Sequence, residues 1–281
     1  MQLNFRPNVD LISSTRRFVN ELLDSMLADP DASSRVALTI HELLENTLKY
    51  STDGEARLDV SLQQNEGSYV VEVRASNRAT PEQLQELKQR IDELREVSDP
   101  MGLYVSMMVD SARRDGSGLG LVRIRVEGGN GARLRDRRRS NHHQVFDSCG
   151  VTVMQNLNMQ SVVFTGFQLT PRLEDTRVVV AFAGNGDMSA VEALGRFLKG
   201  LHPEATNLGV KEVAFDFRDL YFMNSSCFKA FVTWIDVVSR ASVPPYTIRF
   251  LTNPRLHWQR RSLEALRCLA PNVVRVEALA V

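Results

Sequence analysis

The 281-residue chain carries no net charge, with 34 basic side chains facing 34 acidic ones. No overall field therefore draws it to nucleic acid or to an anionic membrane, and an electrostatic partner has to be read from local charge. Long apolar runs are missing too, since nothing approaches the roughly 18 residues of a membrane-crossing helix. The first residues, MQLNFRPNVD, have neither the basic start nor the apolar middle of an export signal, and the cytoplasm is the expected location. Cysteine is scarce. Cys149, Cys227 and Cys268 are far apart, with no CxxC pair, which argues against a disulfide framework and against a zinc site of the usual spacing. What is present is a soluble globular composition, 43% hydrophobic and 24% charged, with length for about two domains.

Apolar residues recur at helical spacing over Leu11 to Leu27 and Ser33 to Tyr50, and the DPDASS stretch between them reads as a turn. EARLDVSLQQNEGSYVVEVRAS alternates apolar and polar residues about a glycine, the pattern of a hairpin with one buried face. Pro81 opens a helix over PEQLQELKQRIDELREV. MGLYVSMMVDSARRDGSGLGLVRIRVE then predicts an apolar helix, a glycine loop and a second helix start. This half is expected to be α+β, with helices laid on a mainly antiparallel sheet. From Thr176 onward, strands (RVVVAFAGNGDM, KEVAFDFRDL, YTIRFLTN, VVRVEAL) alternate with helical stretches, which predicts a compact α/β layer domain. The boundary is placed between about Gly128 and Met154.

Two stretches carry chemistry. In HELLENTLKYS, Glu42, Asn46 and Tyr50 fall on one helix face, and Leu43, Leu44 and Leu48 are expected on the opposite, buried side. A carboxylate and an amide on one face can hold a water, and the amide oxygen can ligate a hard cation such as Mg²⁺. The plainer alternative is an exposed helix face, where Glu and Asn are routine. DGSGLGL, Asp115 to Leu121, is a glycine loop running into a helix, and backbone N–H groups at such a place make an anion cradle. Its alternative is an ordinary turn, since it fits neither the Walker nor the Rossmann spacing.

In this order and about 70 residues apart, the two motifs resemble the N-box and G2-box of the GHKL ATPases, most closely the anti-sigma-factor serine kinases of bacterial partner switching. The resemblance spans about Met1 to Glu127. It implies that Glu42 is the general base and Asn46 the ligand of Mg²⁺ bound with ATP, and that Gly116, Gly118 and Gly120 form the phosphate-binding lid loop. After the strand YVVEVRASN, where the family has DxGxG, this chain reads SNRATPEQ, leaving Asn77 to offer hydrogen bonds toward an adenine edge.

FDFRDLYFMNSSCFKAFVTWI places two serines between a buried strand and a helix, where their hydroxyls are expected to cap the helix and face solvent. The stretch resembles the STAS (anti-sigma antagonist) signature of strand, Asp-Ser-Ser-Gly, helix. Asn224 then stands for the Asp, Ser225 for the serine that accepts phosphate, Ser226 for its neighbour and Cys227 for the Gly. This resemblance covers roughly Met154 to Val281. The two families are functional partners, so finding both in one chain strengthens each.

Between the halves, GGNGARLRDRRRSNHHQVFDSCGVTV is rich in arginine and carries His142 and His143, where the ATPase-type sheet would receive its last strand. One reading is a basic linker for an acidic partner or nucleic acid. Another is a frameshift scar. Asn130 to Met154 can be encoded by DNA whose frame, one base on, reads MELAYEIDGDRITIKSSTRAVSP and then stops, and the shifted peptide has the hairpin pattern the written one lacks.

The expected fold is thus an α+β GHKL/Bergerat-like ATPase sandwich (1–127), a basic junction (128–153) and an α/β STAS domain (154–281). The expected function is a partner-switching signalling protein, with a serine kinase-like module that binds ATP and Mg²⁺ and a STAS module phosphorylated at Ser225. Its partners are then STAS or anti-sigma-type regulators, with a phosphatase or sigma factor beyond them. The alternative is a non-catalytic interaction regulator without nucleotide binding. A nucleic-acid-binding regulator using the arginine-rich junction ranks below both, and no membrane partner is expected.

Overall fold

In the computed structural model the described residues are 1–27, 29–65, 68–113, 119–128, 157, 159–164, 166–240 and 245–279. Gly116, Gly118, His142, His143, Cys149 and nearly all of the basic junction lie outside them.

The first part holds a three-stranded antiparallel sheet in the order β1 (Gln2–Phe5), β2 (Ala56–Asn65), β3 (Ser68–Asn77). Alternation sends Leu58 and Val60 to one face, where they pack with Ile12, Val19, Leu23, Ile40 and Leu44 of α1 (Val9–Leu27) and α2 (Pro30–Tyr50). The DPDASS stretch is a helix start and not a turn: Asp29 accepts from the Ala32 N–H while Pro30 occupies the first helical turn, where a missing N–H costs nothing. Leu48 is also placed differently from expectation. It is exposed, whereas Leu44 is fully buried, because Leu48 borders the open cavity shared with Glu45, Lys49 and Ser225 and does not face the sheet. The exposed α3 (Pro81–Glu96) starts with a Thr80–Gln83 capping box. Then follow α4 (Pro100–Arg113) and the short α5 (Leu119–Arg123), which runs into a π-helical turn over Ile124–Gly128.

The second part is a six-stranded sheet in chain order, β4 (Val162–Phe164), β5 (Phe167–Glu174), β6 (Arg177–Gly186), β7 (Glu212–Met223), β8 (Thr247–Thr252) and β9 (Val274–Ala278). β4 to β6 pair antiparallel and β6 to β9 parallel. The parallel pairs are joined through α6 (Val191–Asn207), α7 (Ser225–Ser239) and α8 (His257–Leu269), as parallel strands require a crossover. A cluster of phenylalanines, with Phe182 and Phe217 edge to face at 4.9 Å, fills the space beneath α7. The two sheets lie on either side of 128–154 in the chain, and the buried cores do not follow that division. Tyr104, Met108, Leu119 and Val122 of α4 and α5 belong to the same buried cluster as Phe228 of α7 and Leu263 of α8.

Candidate functional site

The carboxyl end of β7 and the amino end of α7 meet the middle of α2. At that turn the side-chain oxygen of Asn224 accepts from the Cys227 N–H and caps α7, so the cap is the asparagine and not a serine. Ser225 is therefore free of capping. It does not face solvent as expected: it is 6% exposed, and its hydroxyl donates to Glu42 Oε1 at 2.7 Å. The residue expected as base and the residue expected as phosphoacceptor, 183 positions apart, are thus in direct contact.

Glu42 is 2% exposed, and the same Oε1 also accepts from Arg123 Nη1 at 3.1 Å. Burial raises the Glu42 carboxyl above its ordinary range; Arg123 pulls it down, and nearby Glu45 adds to the rise. The fully buried Arg123 guanidinium ties the two parts together. Its Nη1 donates to the Met223 carbonyl at 2.7 Å and its Nε to Glu127 at 3.1 Å. It also lies 4.8 Å from the Phe228 ring. Ser262 Oγ of α8 donates to the same Glu127 oxygen at 2.5 Å. Burial alone would lower the Arg123 pKa, but Glu127, Tyr104 and Glu42 raise it, and the charge is kept.

Two neighbouring cavities flank this contact. One, of about 360 Å³, is lined by Glu42, Glu45, Asn46, Gly120, Ser225 and Lys229. The other, of about 280 Å³, is lined by Asn46, Tyr50, Asn77, Leu84, Leu87 and Gly120. Asn46 and Gly120 border both. A Cβ at Gly120 would come within 2.7 Å of Glu42 Oε2, so a larger residue there has to displace the end of that carboxylate. Asn77 reaches the outer end of the second cavity, with its amide donating to the Arg78 carbonyl at 3.1 Å. Of the expected site residues, Glu42, Asn46, Gly120 and Ser225 converge on one cavity, Asn77 stands apart from Ser225, and Gly116 and Gly118 are outside the described residues.

Glu45, His41, Arg123 and Glu127 were not anticipated. Asn224 Nδ2 donates to Glu45 Oε1 at 2.8 Å, and His41 Nε2 reaches the same oxygen at 2.7 Å. The sequence places Arg123 and Glu127 four residues apart in LGLVRIRVE, a spacing that brings the pair together on a helix but is ordinarily exposed, so their burial comes from packing alone.

Neither a protein-family model nor a curated protein matches the chain. Several solved structures resemble part of it. One is the crystal structure of the SiaB-SiaC complex from Pseudomonas aeruginosa, matched at 20% identity over 43% of this chain and 72% of that chain, with a TM-score of 0.35. Another is an anti-sigma factor antagonist from Mycobacterium paratuberculosis, at 14% identity over 37% of this chain and 83% of that one, with a TM-score of 0.30. Likenesses this partial leave function to be read from the geometry of the site itself.

Proposed function

We propose that the chain is a partner-switching signalling protein of GHKL-plus-STAS type, in which a serine kinase-like first part acts on Ser225 of a STAS-like second part. One observation carries the reading: the Ser225 hydroxyl donates to Glu42 Oε1 at 2.7 Å, beside a cavity that Asn46 and Gly120 also line. A hydroxyl already bonded to a carboxylate is placed to surrender its proton, and a carboxyl raised by burial is better matched to neutral pH than an ordinary one. The residues present fit a magnesium nucleotide in outline, with an amide oxygen at Asn46, a glycine at position 120 whose Cβ would crowd Glu42, and a second cavity ending at Asn77. Mg-ATP bound there would supply the phosphoryl group that Ser225 takes in exchange for its proton. Glu42 would take that proton, Asn46 would hold the metal and ADP would leave, while Arg123 fixes the Glu42 oxygen that faces Ser225.

The second reading, a binding regulator without catalysis, is favoured by a different observation. Both partners of the contact are nearly closed to solvent, and the Arg123 network that ties the two parts together is built from the chain's own side chains and backbone. One experiment separates the readings: tandem mass spectrometry of the full chain after incubation with Mg-ATP, beside Glu42→Ala and Asn46→Ala. The kinase reading expects phosphate on Ser225 that Glu42→Ala abolishes, and saturable Mg-ATP affinity that Asn46→Ala removes. An unphosphorylated Ser225 and no Mg-ATP affinity in the unaltered chain establish the binding regulator instead.

A further inference from the structure

Position 224, one residue before the Ser225 hydroxyl, is occupied by a fully buried asparagine that uses both ends of its amide. The oxygen caps α7 by accepting from the Cys227 N–H at 2.9 Å, and the nitrogen donates across the boundary to Glu45 Oε1 at 2.8 Å. Glu45 Oε1 accepts from two donors at once, Asn224 Nδ2 and His41 Nε2 at 2.7 Å, and His41 is itself held edge-on against Phe222. The amide is thus read by an acceptor that the first part of the chain has fixed in place. An aspartate of the same shape would still cap α7, but it has no N–H to give. Its one carboxylate would lie about one hydrogen bond from Glu45 and beside the serine that Glu42 holds, in a site where like charges are poorly screened.

We propose that Glu45, positioned by His41, is a specificity-determining residue: it selects a STAS-type substrate carrying an amide immediately before the acceptor serine and rejects one carrying a carboxylate there. The proposal rests on the reading of Ser225 as the residue acted upon, and it names which substrates the first part accepts. Discrimination comes from repulsion against the wrong partner as much as from the bond to the right one. Asn224 and Glu45 form a matched donor and acceptor, so exchanging the roles should restore the match. With Gln at 45, an amide N–H is available for an aspartate at 224.

The test uses the full chain and amide hydrogen exchange, which reports local opening, on segments 42–50 and 225–231, with β9 as an internal control for folding. Asn224→Asp is expected to speed exchange in both segments about 1,000-fold, the scale of an uncompensated buried charge, while leaving β9 protected. Glu45→Gln alone changes little, and the Asn224→Asp/Glu45→Gln double recovers most of the protection. Unchanged exchange in Asn224→Asp overturns the proposal, as does a double whose loss is the sum of the singles. Should Asn224→Asp fail to fold, the double must still fold; a double equally unfolded is also a refutation. Phosphate on Ser225 is scored separately. Its absence from every variant, with the exchange pattern as expected, would sink the kinase reading and the substrate selection that rests on it, and would leave only the Asn224–Glu45 pairing.

Discussion

Glu42 Oε1 is shared between a hydroxyl that would lose its proton in the proposed reaction and a guanidinium that keeps its charge, and the two demands set opposite expectations for mutants. Because burial raises the Glu42 carboxyl, the folded state holds that proton to higher pH than the unfolded chain does. The stability it contributes is therefore fully present below the ordinary glutamate range and lost as pH rises through the raised value. Comparing the unaltered chain with Glu42→Gln by denaturant titration, the difference should move against the unaltered chain across that window, by at most about 1.4 kcal/mol for each pH unit. A difference that stays flat would mean that Glu42 is ionised throughout. Arg123 behaves differently. Its removal strands Glu42 and Glu127 together in the core, so Arg123→Met is expected to lower stability by about 3–5 kcal/mol, and a loss below 1 kcal/mol would show that water reaches the pair.

At the scale of elements, α5 matters because it brings its backbone up against Glu42. A Cβ on Gly120 would sit 2.7 Å from Glu42 Oε2, so in Gly120→Ala either the carboxylate rotates away from Ser225 or α5 backs off. Overpacking of this kind costs about 1–3 kcal/mol, and the expected signature is specific: faster amide exchange at 225–228 and less phosphate on Ser225, with the first sheet still protected. Normal exchange and normal phosphorylation in Gly120→Ala would mean that α5 does not hold this approach in solution. Most of these elements were legible in the sequence, because α3 begins at Pro81 behind a capping residue and the β2–β3 hairpin has a period of two. What could not be read is which polar side chains the packing would remove from water. Ser225 looked like a solvent-facing cap until α2 was laid over it, and Asn224 took the cap instead. Glu45 and His41 sat on a helix face that local periodicity marks as ordinary. Their roles arise only from a contact with a residue some 180 positions away, and no window of sequence contains both partners.

For the whole molecule, the question is whether the parts on either side of the junction are separate folding units. The strands say two sheets; the core says otherwise, since Tyr104, Met108, Leu119 and Val122 are buried against α7 and α8. Burying an apolar side chain of this size stabilises by about 1.5–3 kcal/mol, so four of them amount to as much as the 5–15 kcal/mol that holds a typical domain together. The Arg123 network, the Arg261–Asp31 pair at 3.0 Å and the Ser13–Asp187 bond at 2.7 Å add polar ties across the same boundary. The full chain is accordingly expected to unfold in one calorimetric transition. Produced as two chains, residues 1–128 and 157–281 should each expose a hydrophobic face alone and should elute together as a one-to-one complex when mixed. Two separate transitions, or two pieces that fold and elute independently, would make the cross-boundary packing incidental. The same pieces bear on the origin of the junction. If the arginine-rich stretch is a one-base frameshift between two genes, a piece extended from Gly129 by the shifted-frame peptide MELAYEIDGDRITIKS should be more stable than 1–128 and still bind 157–281. Resequencing the locus then decides, because DNA unable to encode that hairpin in the next frame leaves the arginines as a linker that the protein actually makes.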